Sequence, residues 1–341
     1  MTRSSHEEKS TKTKRHSIAR GLAAALVAML ALGGGPASAQ QFPVKPVQLM
    51  VAFPAGGGTD VAARIVASIA EKLLGQPIVV VNKAGAGGQV GWTEMSRQRP
   101  DGYYLGFINL PALNTVILDP ERKAVFTADA FVPVINQVLD PGIIWVKADS
   151  PYKTLKDLLE AAKRTPNKIS AATTGILSDD HLAILMAEEA FPGASFRVVH
   201  LDGAPAQMTA ILGGHVDVAF DNVGSVFKRV KTGELRVLAV MDTQRSPFLP
   251  DVPITPELGF PTVISNSTRG IAAPKGTPEP VIKRLQEVFK KAMEDPEHVK
   301  KMEEAGLALK IMVGEEYAKY YRELHAKAAK YTEWARSRPH Q

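Results

Sequence analysis

The strongest constraint on the fold is an alternation that runs through most of the chain. Short apolar, β-branched runs are broken by turns rich in glycine or hydroxyl residues, and each turn leads into a helix-length amphipathic segment. VQLMVAF (47–53) suits a strand buried on both faces of a parallel sheet. PAGGG breaks it. The spacing then predicts a helix from Thr59-Asp60 to Leu74, with Val61, Ile65, Ile69 and Leu73 on one face. Thr59 or Asp60 is expected to cap its free amides, and Gly75 to stop it. PIVVVN (77–82) is the next strand, followed by KAGAGGQVG and a helix to about Gln98. YYLGFIN (103–109) is the third. This βαβαβ order predicts a parallel α/β sheet with right-handed crossovers.

The pattern restarts with GIIWVKA (142–148). Thr154 with Asp157 opens a helix ending near Arg164, KISAATTG is a strand, and Ser178 opens a helix over SDDHLAILMAEEA. FRVVHL is extended, GAPAQMTAILGG is a helix with Pro205 in its first turn, and VDVAFDN and LRVLAVM are further strands. Residues 243–262 are rich in Pro and read as a long connection. TRGIAAP (268–274) is extended. Two long helices close the chain, at roughly 278–305 (interrupted at Pro296) and 315–337. An α/β unit inserted within another predicts two lobes, one of residues 40–141 plus 267–341 and the other of 142–266. Two crossing segments would let such lobes hinge around a crevice.

Composition narrows the function classes. The 341 residues are 45% hydrophobic and 22% charged, ample for two domains. The absence of cysteine excludes disulfides, thiolate metal sites, cysteine nucleophiles and a lipoprotein anchor. Of 41 basic and 35 acidic residues, six and two lie within residues 1–39, so the body is only two charges positive. A nucleic-acid binder needs a basic face to displace counterions. The basic start, the short apolar stretch GLAAALVAMLALGGG and the small residues Ala37 and Ala39 predict a secretory signal peptide cleaved after Ala39. The stretch is shorter than the roughly 20 residues of a membrane span. A soluble periplasmic protein is the expectation.

Four strand-to-helix turns carry the chemistry: PAGGGTD (54–60), AGAGG (84–88), TTGILSDD (173–180) and DGAPA (202–206). In parallel α/β sheets, ligands bind beyond the carboxyl ends of strands. Each turn precedes a helix N-terminus, where unpartnered amides and a positive dipole favour an anion. Sharper motifs fail on spacing. PAGGGTD lacks the Gly-Lys-Ser/Thr of a Walker loop. In AGAGGQVG, Val90 stands where a dinucleotide fingerprint needs its third glycine. Ser178 and His181 are the one candidate hydrolytic pair, but an oriented third group is wanting, and a helix cap beside a packed or ligand-facing histidine explains them as well. His200 and His215 have no partner at metal spacing, and Trp92 and Trp145 read as packing residues. No cofactor or metal is expected.

The ordered motifs FPVKPVQLMVAFPAGGGTDVAAR, LGQPIVVVNKAGAGGQVG, RPDGYYL, TGILSDDHLA, GAPAQMTAILGGHVDVAF and GIAAPKGTPEPVI resemble the periplasmic solute receptors of tripartite tricarboxylate transporters, the Bug receptors, along the whole mature chain. The resemblance implies a class II Venus-flytrap binding protein. Such a protein has no enzymatic activity and delivers a carboxylate to membrane subunits or a sensor. The turns and the resemblance together nominate Phe53, Pro54, Ala55, Gly56, Gly57, Thr59 and Asp60, then Gly85, Ala86, Gly87, Gly88 and Asn109, as ligand-binding residues of the first lobe. Thr174, Gly175, Ser178, His181, Gly203 and Asp221 face them from the second.

The chain also departs from the family. Leu201-Asp202-Gly203 replaces a usual Tyr-Lys-Gly, and Thr268-Arg269-Gly270-Ile271 replaces Trp-x-Gly-Leu. Arg269 is therefore expected to reach the cleft and pair with a second anionic group of the ligand. The rivals are a secreted hydrolase using Ser178 and His181, and the effector lobe of a transcription regulator.

Overall fold

The computed structural model describes residues 42–337; the expected signal peptide and its cleavage point lie outside them. Strands β1 (Val47–Val51), β2 (Ile78–Asn82) and β3 (Tyr104–Leu110) pair in parallel with β1 in the middle. Helices α1 (Gly58–Leu74), α2 (Gln89–Ser96) and α3 (Ala112–Leu118) follow them in turn. The first of these stops where expected, at Gly75, whose left-handed φ of 77° suits glycine.

Two details of α1 differ from expectation. Its N-cap is Gly57, without a side-chain cap, and Asp60 is engaged instead by Gly56 N, Asn82 and Arg64. Its buried face runs through Ala62, Ala63, Val66, Ala67, Ile69, Ala70 and Leu74; of the expected face, Ile69 is buried, Val61 and Ile65 are half-buried and Leu73 is 41% exposed. Small residues let α1 lie close against α8 (Glu279–Met293) and α9 (Pro296–Ala305), the two pieces into which the expected 278–305 helix divides. Asp295 caps the second piece through Glu297 N at 2.8 Å.

The central element is β4 (Phe131–Lys147), eleven residues longer at its start than the sequence suggested. From Phe131 to Pro141 it pairs antiparallel with β9 (Asn266–Pro274), which in turn pairs antiparallel with β3. From Gly142 onward β4 changes partners to β7 (Val218–Asn222) and β8 (Leu235–Met241), both antiparallel. Strands β5 (Ser170–Thr173) and β6 (Arg197–His200) extend this second half in parallel, and β10 (Leu309–Val313) pairs with the first half of β4. The full order is β2-β1-β3-β9-β4-β7-β5-β6. The sheet is thus mixed rather than mainly parallel: parallel arms meet an antiparallel centre, because the two strands that cross between lobes run in opposite directions.

Successive residues of β4 feed opposite cores. Ile144 and Val146 pack with Leu158, Phe196 and Phe220, while Ile143 and Trp145 pack with Ile211, Val226 and Phe227. Burial on both faces explains the continuous apolar run. The second half carries α4 (Leu155–Arg164), α5 (Asp179–Ala190), α6 (Ala204–Leu212) and α7 (Val223–Lys231), and α10 (Glu315–Arg336) ends the described chain. Thr154 and Asp157 form the expected capping box on α4.

Candidate functional site

The carboxyl ends of β1, β3, β5 and β7 converge on a cavity of about 50 Å³ between the two halves. Two of the helices that start there, α1 and α6, begin behind a glycine (Gly57, Gly203) and a third, α7, behind Asn222, and none of the three has a side-chain cap. Helix α5 begins at Ser178, whose hydroxyl accepts from His181 N at 3.3 Å. Uncapped first-turn amides gathered at one cavity make an anion site.

Of the residues nominated from sequence, Phe53, Pro54, Gly57, Thr59, Gly87 and Asn109 line the cavity from one half. Thr174, Gly175, Ser178, Gly203 and Asp221 line it from the other, and Arg269 from the crossing strand β9. Ala55, Gly56, Asp60, Gly85, Ala86, Gly88 and His181 stand outside the lining. Asp60 instead organises the first turn from behind, accepting from Gly56 N at 2.9 Å, Arg64 Nε at 3.0 Å and Asn82 Nδ2 at 2.9 Å. Burial works to raise its pKa, but these donors outweigh burial and hold it below the ordinary value.

Sequence reasoning missed Gly58, Ala112, Ile176, Asp179, Ala204, Pro205, Asn222, Ser225 and Ser267. Several adjoin nominated residues in the same turns. Ala112 and Ser267 carried no local signal.

His181 is a brace for the second half's turn. Its Nδ1 accepts from Leu177 N at 3.0 Å, and its ring meets His200 edge-on at 4.8 Å. Burial, with a smaller contribution from His200, pushes its pKa down to about 3, so the ring is neutral. Leu177 adopts a left-handed φ of 58°, which that bond helps to hold. With Nδ1 taken by a backbone N–H and Ser178 serving as a cap, the pair lacks the nucleophile–base contact a hydrolase needs.

Arg269 does reach the cleft, but its charge is already engaged. Nη1 donates to Asp140 Oδ2 at 2.6 Å, and Nη2 to Asn222 Oδ1 at 3.3 Å. Asn222 Nδ2 passes the network on to Asp179 Oδ2 at 2.9 Å, and Asp180 accepts from Thr174 N at 3.1 Å and from its hydroxyl. Burial raises the pKa of Asp140, Asp179 and Asp180, with Arg269 opposing it at the first two. Asp221 is pushed up to about 7, chiefly by burial and partly by the Asp140 charge, against hydrogen bonds from Asn222 N and Ser225. The expected free cation is therefore a buried pair inside an acidic wall.

The two halves are closed on each other. Arg122 donates to Ala86 O at 2.8 Å on its own side and to Ile176 O at 2.7 Å on the other. Thr115 Oγ1 donates to Leu177 O at 2.8 Å. Gly203, at φ 88°, lies so near Pro54 that a Cβ there would stand 2.9 Å from its Cδ. Among the described residues, no group of His, Asp and Glu is arranged to hold a metal ion, and no helix is long and apolar enough to cross a membrane.

Two lobes joined by crossing strands, closed over uncapped helix N-termini, define a solute-binding receptor of the Venus-flytrap type. Residues 62–333 match the tripartite tricarboxylate transporter family receptor, and the chain belongs to that family. A protein of Cupriavidus necator described as "UPF0065 protein in gbd 5'region" is 34% identical over 315 residues, spanning 90% of this chain and 93% of its own. The periplasmic binding protein BugD is 29% identical with a TM-score of 0.78, over 87% of this chain and 98% of its own. MatC of Rhodopseudomonas palustris, solved with bound malate, is 25% identical with a TM-score of 0.79, covering 85% and 100%. An adipate-bound protein of R. palustris is 25% identical with a TM-score of 0.80, covering 86% and 98%.

Proposed function

We propose that this chain is a periplasmic receptor that captures a small carboxylate in the interlobe cleft. It hands the acid over unchanged to the membrane subunits of a tripartite tricarboxylate-type transporter or to a sensor. The observation that carries this reading is the convergence of uncapped helix starts, at Gly57, Gly203 and Asn222, on one cavity between the lobes. Such amides hold a carboxylate through neutral donors, so ligand release needs no charge to be neutralised. The malate and adipate held by two structural neighbours support the same class.

The lobes divide at 141/142 and 266/267, where β4 exchanges β9 for β7 and β8. Residues 1–39 are the export signal, and the mature protein acts as a monomer. The nominated turns supply the ligand contacts, with Gly58, Asp179 and Asn222 added to them. Binding energy here has only to hold the ground state, so no catalytic group is needed. A thermal-shift screen of mono-, di- and tricarboxylates tests the reading. A true ligand at 100 times its dissociation constant adds about 2.7 kcal/mol of stability, whereas no shift with any acid rejects it.

A further inference from the structure

A second cavity lies beside the crossing between the lobes. Helix α10 of the first lobe carries Leu324, Lys327, Ala328 and Tyr331 at the i, i+3, i+4, i+7 spacing of one helix face. Helix α5 of the second lobe presents Leu182 and Met186, one turn apart. These two faces line a space of about 270 Å³, against about 50 Å³ in the cleft. Thr262, Ile264 and Asn266 border it just before the chain crosses back to the first lobe.

The wall and the rim of this cavity differ in character. Leu182, Met186, Ile264 and Leu324 make the wall apolar. Ala328 contributes only a methyl group, and Met186 opposite is unbranched and adaptable. At the rim stands Lys327, which is exposed and has no ion pair among the described residues. Glu323, one turn back, lies 4.0 Å from Lys319 instead. Tyr331 is 41% exposed, and its hydroxyl has no partner among the described residues. The other charged residue of the lining, Asp179, is 7% exposed, with Oδ2 held by Asn222 of the cleft at 2.9 Å. An apolar wall beneath an uncommitted cation and a phenol complements an amphipathic anion.

We propose that this cavity is a second binding site, which takes a small monocarboxylate with an apolar chain, the chain lying between α5 and α10 and the charge at Lys327. The volume stands near the lower end of small-molecule pockets, roughly 300–1,000 Å³, so a chain of several carbons fits. Neither lobe forms the site alone. Its occupant therefore holds α5 to α10, favours the closed form and tightens the cleft's grip on its own ligand. The two cavities also share a wall: Asp179 lines both, and its backbone O accepts from Ser265 Oγ at 3.1 Å.

Calorimetry on the mature protein tests the site with octanoate as probe, butyrate as the short acid and octylamine as the cation. Each buried methylene is worth about fourfold in affinity, so octanoate binds about tenfold or more tighter than butyrate, and tighter than octylamine by a similar factor. Lys327→Glu and Met186→Trp, the second filling the space, each weaken octanoate by about tenfold or more. Both variants keep the parent's circular dichroism spectrum and still bind the acid that the carboxylate screen identifies. Saturating octanoate raises the parent's affinity for that acid about twofold or more. Octanoate binding that survives both variants, or that the cleft acid displaces, overturns the second site. So does octylamine binding as tightly, or no binding of octanoate at all. An unchanged cleft affinity at saturating octanoate overturns the hold on the closed form. The receptor reading is judged apart from these results and fails only when the screen finds no acid.

Discussion

Arg269 of β9 and Asp140 of β4 meet in a buried ion pair, Nη1 to Oδ2 at 2.6 Å, at the point where the two crossing strands pass between the lobes. Their side chains are 3% and 0% exposed. Gly224 N, at 3.2 Å, is a further donor to Asp140. The pair fixes the cleft floor and the hinge with one contact.

Removing one partner of a buried pair strands the other's charge. Arg269→Met is expected to destabilise the protein by about 3–5 kcal/mol in urea unfolding. Asp140→Leu combined with Arg269→Met recovers most of that loss, because no buried charge remains. Equal losses in the single and double variants contradict the pairing.

Asp221 gives stability a pH signature. Its folded pKa, about 7, lies above the ordinary value of 3.8. Between those values the folded state binds more protons than the unfolded one, so this contribution is fully present at low pH and is lost as pH rises toward 7. Burial sets it, with the Asp140 charge raising it further and Asn222 N, Ser225 and Arg269 opposing. Asp221→Asn, which stays neutral, is expected to raise Tm more at pH 8 than at pH 4. A gain of equal size at both pH values contradicts the raised pKa.

Arg122 latches the closed form. Arg122→Ala removes the bond to Ile176 O that spans the cleft mouth and the bond to Ala86 O that holds the side chain on its own half. A hydrogen bond from a charged group contributes about 1.5–3 kcal/mol, less where solvent reaches it. Ligand affinity is therefore expected to fall on the order of tenfold, chiefly through faster release, with Tm of the unliganded protein little changed. Unaltered dissociation in stopped flow counts against a latch.

Gly203 sets how far the lobes approach. Gly203→Ala places a Cβ 2.9 Å from Pro54 Cδ at a left-handed backbone position. Small-angle scattering with saturating ligand is expected to show a larger radius of gyration than for the parent. The same compact radius in both would show that Pro54 yields.

The legible parts of this chain were the local ones. The capping box of Thr154 and Asp157, the Gly75 stop and the four cleft turns each write their geometry within a few residues of sequence. The start of β4 did not. FVPVINQVLDP gives no clean strand signal because Asn136, Gln137 and Asp140 interrupt it, and each finds a partner far away in sequence. Asn136 Nδ2 donates to Lys310 O at 2.7 Å, Gln137 Nε2 to Ala62 O at 3.2 Å, and Asp140 accepts from Arg269. The floor of the site was hidden for the same reason. That Arg269 lines the cleft was foreseeable from its place beside the crossing. That its charge is met by Asp140, 129 residues away, was not.

The most direct measurement is isothermal titration of the purified mature protein with a panel of small carboxylates, followed by recovery and chemical analysis of the acid. Saturable one-to-one binding of at least one acid, recovered unchanged, is the predicted result. Heat from no acid, or an acid returned as a different compound, would contradict a receptor that grips a carboxylate between two lobes.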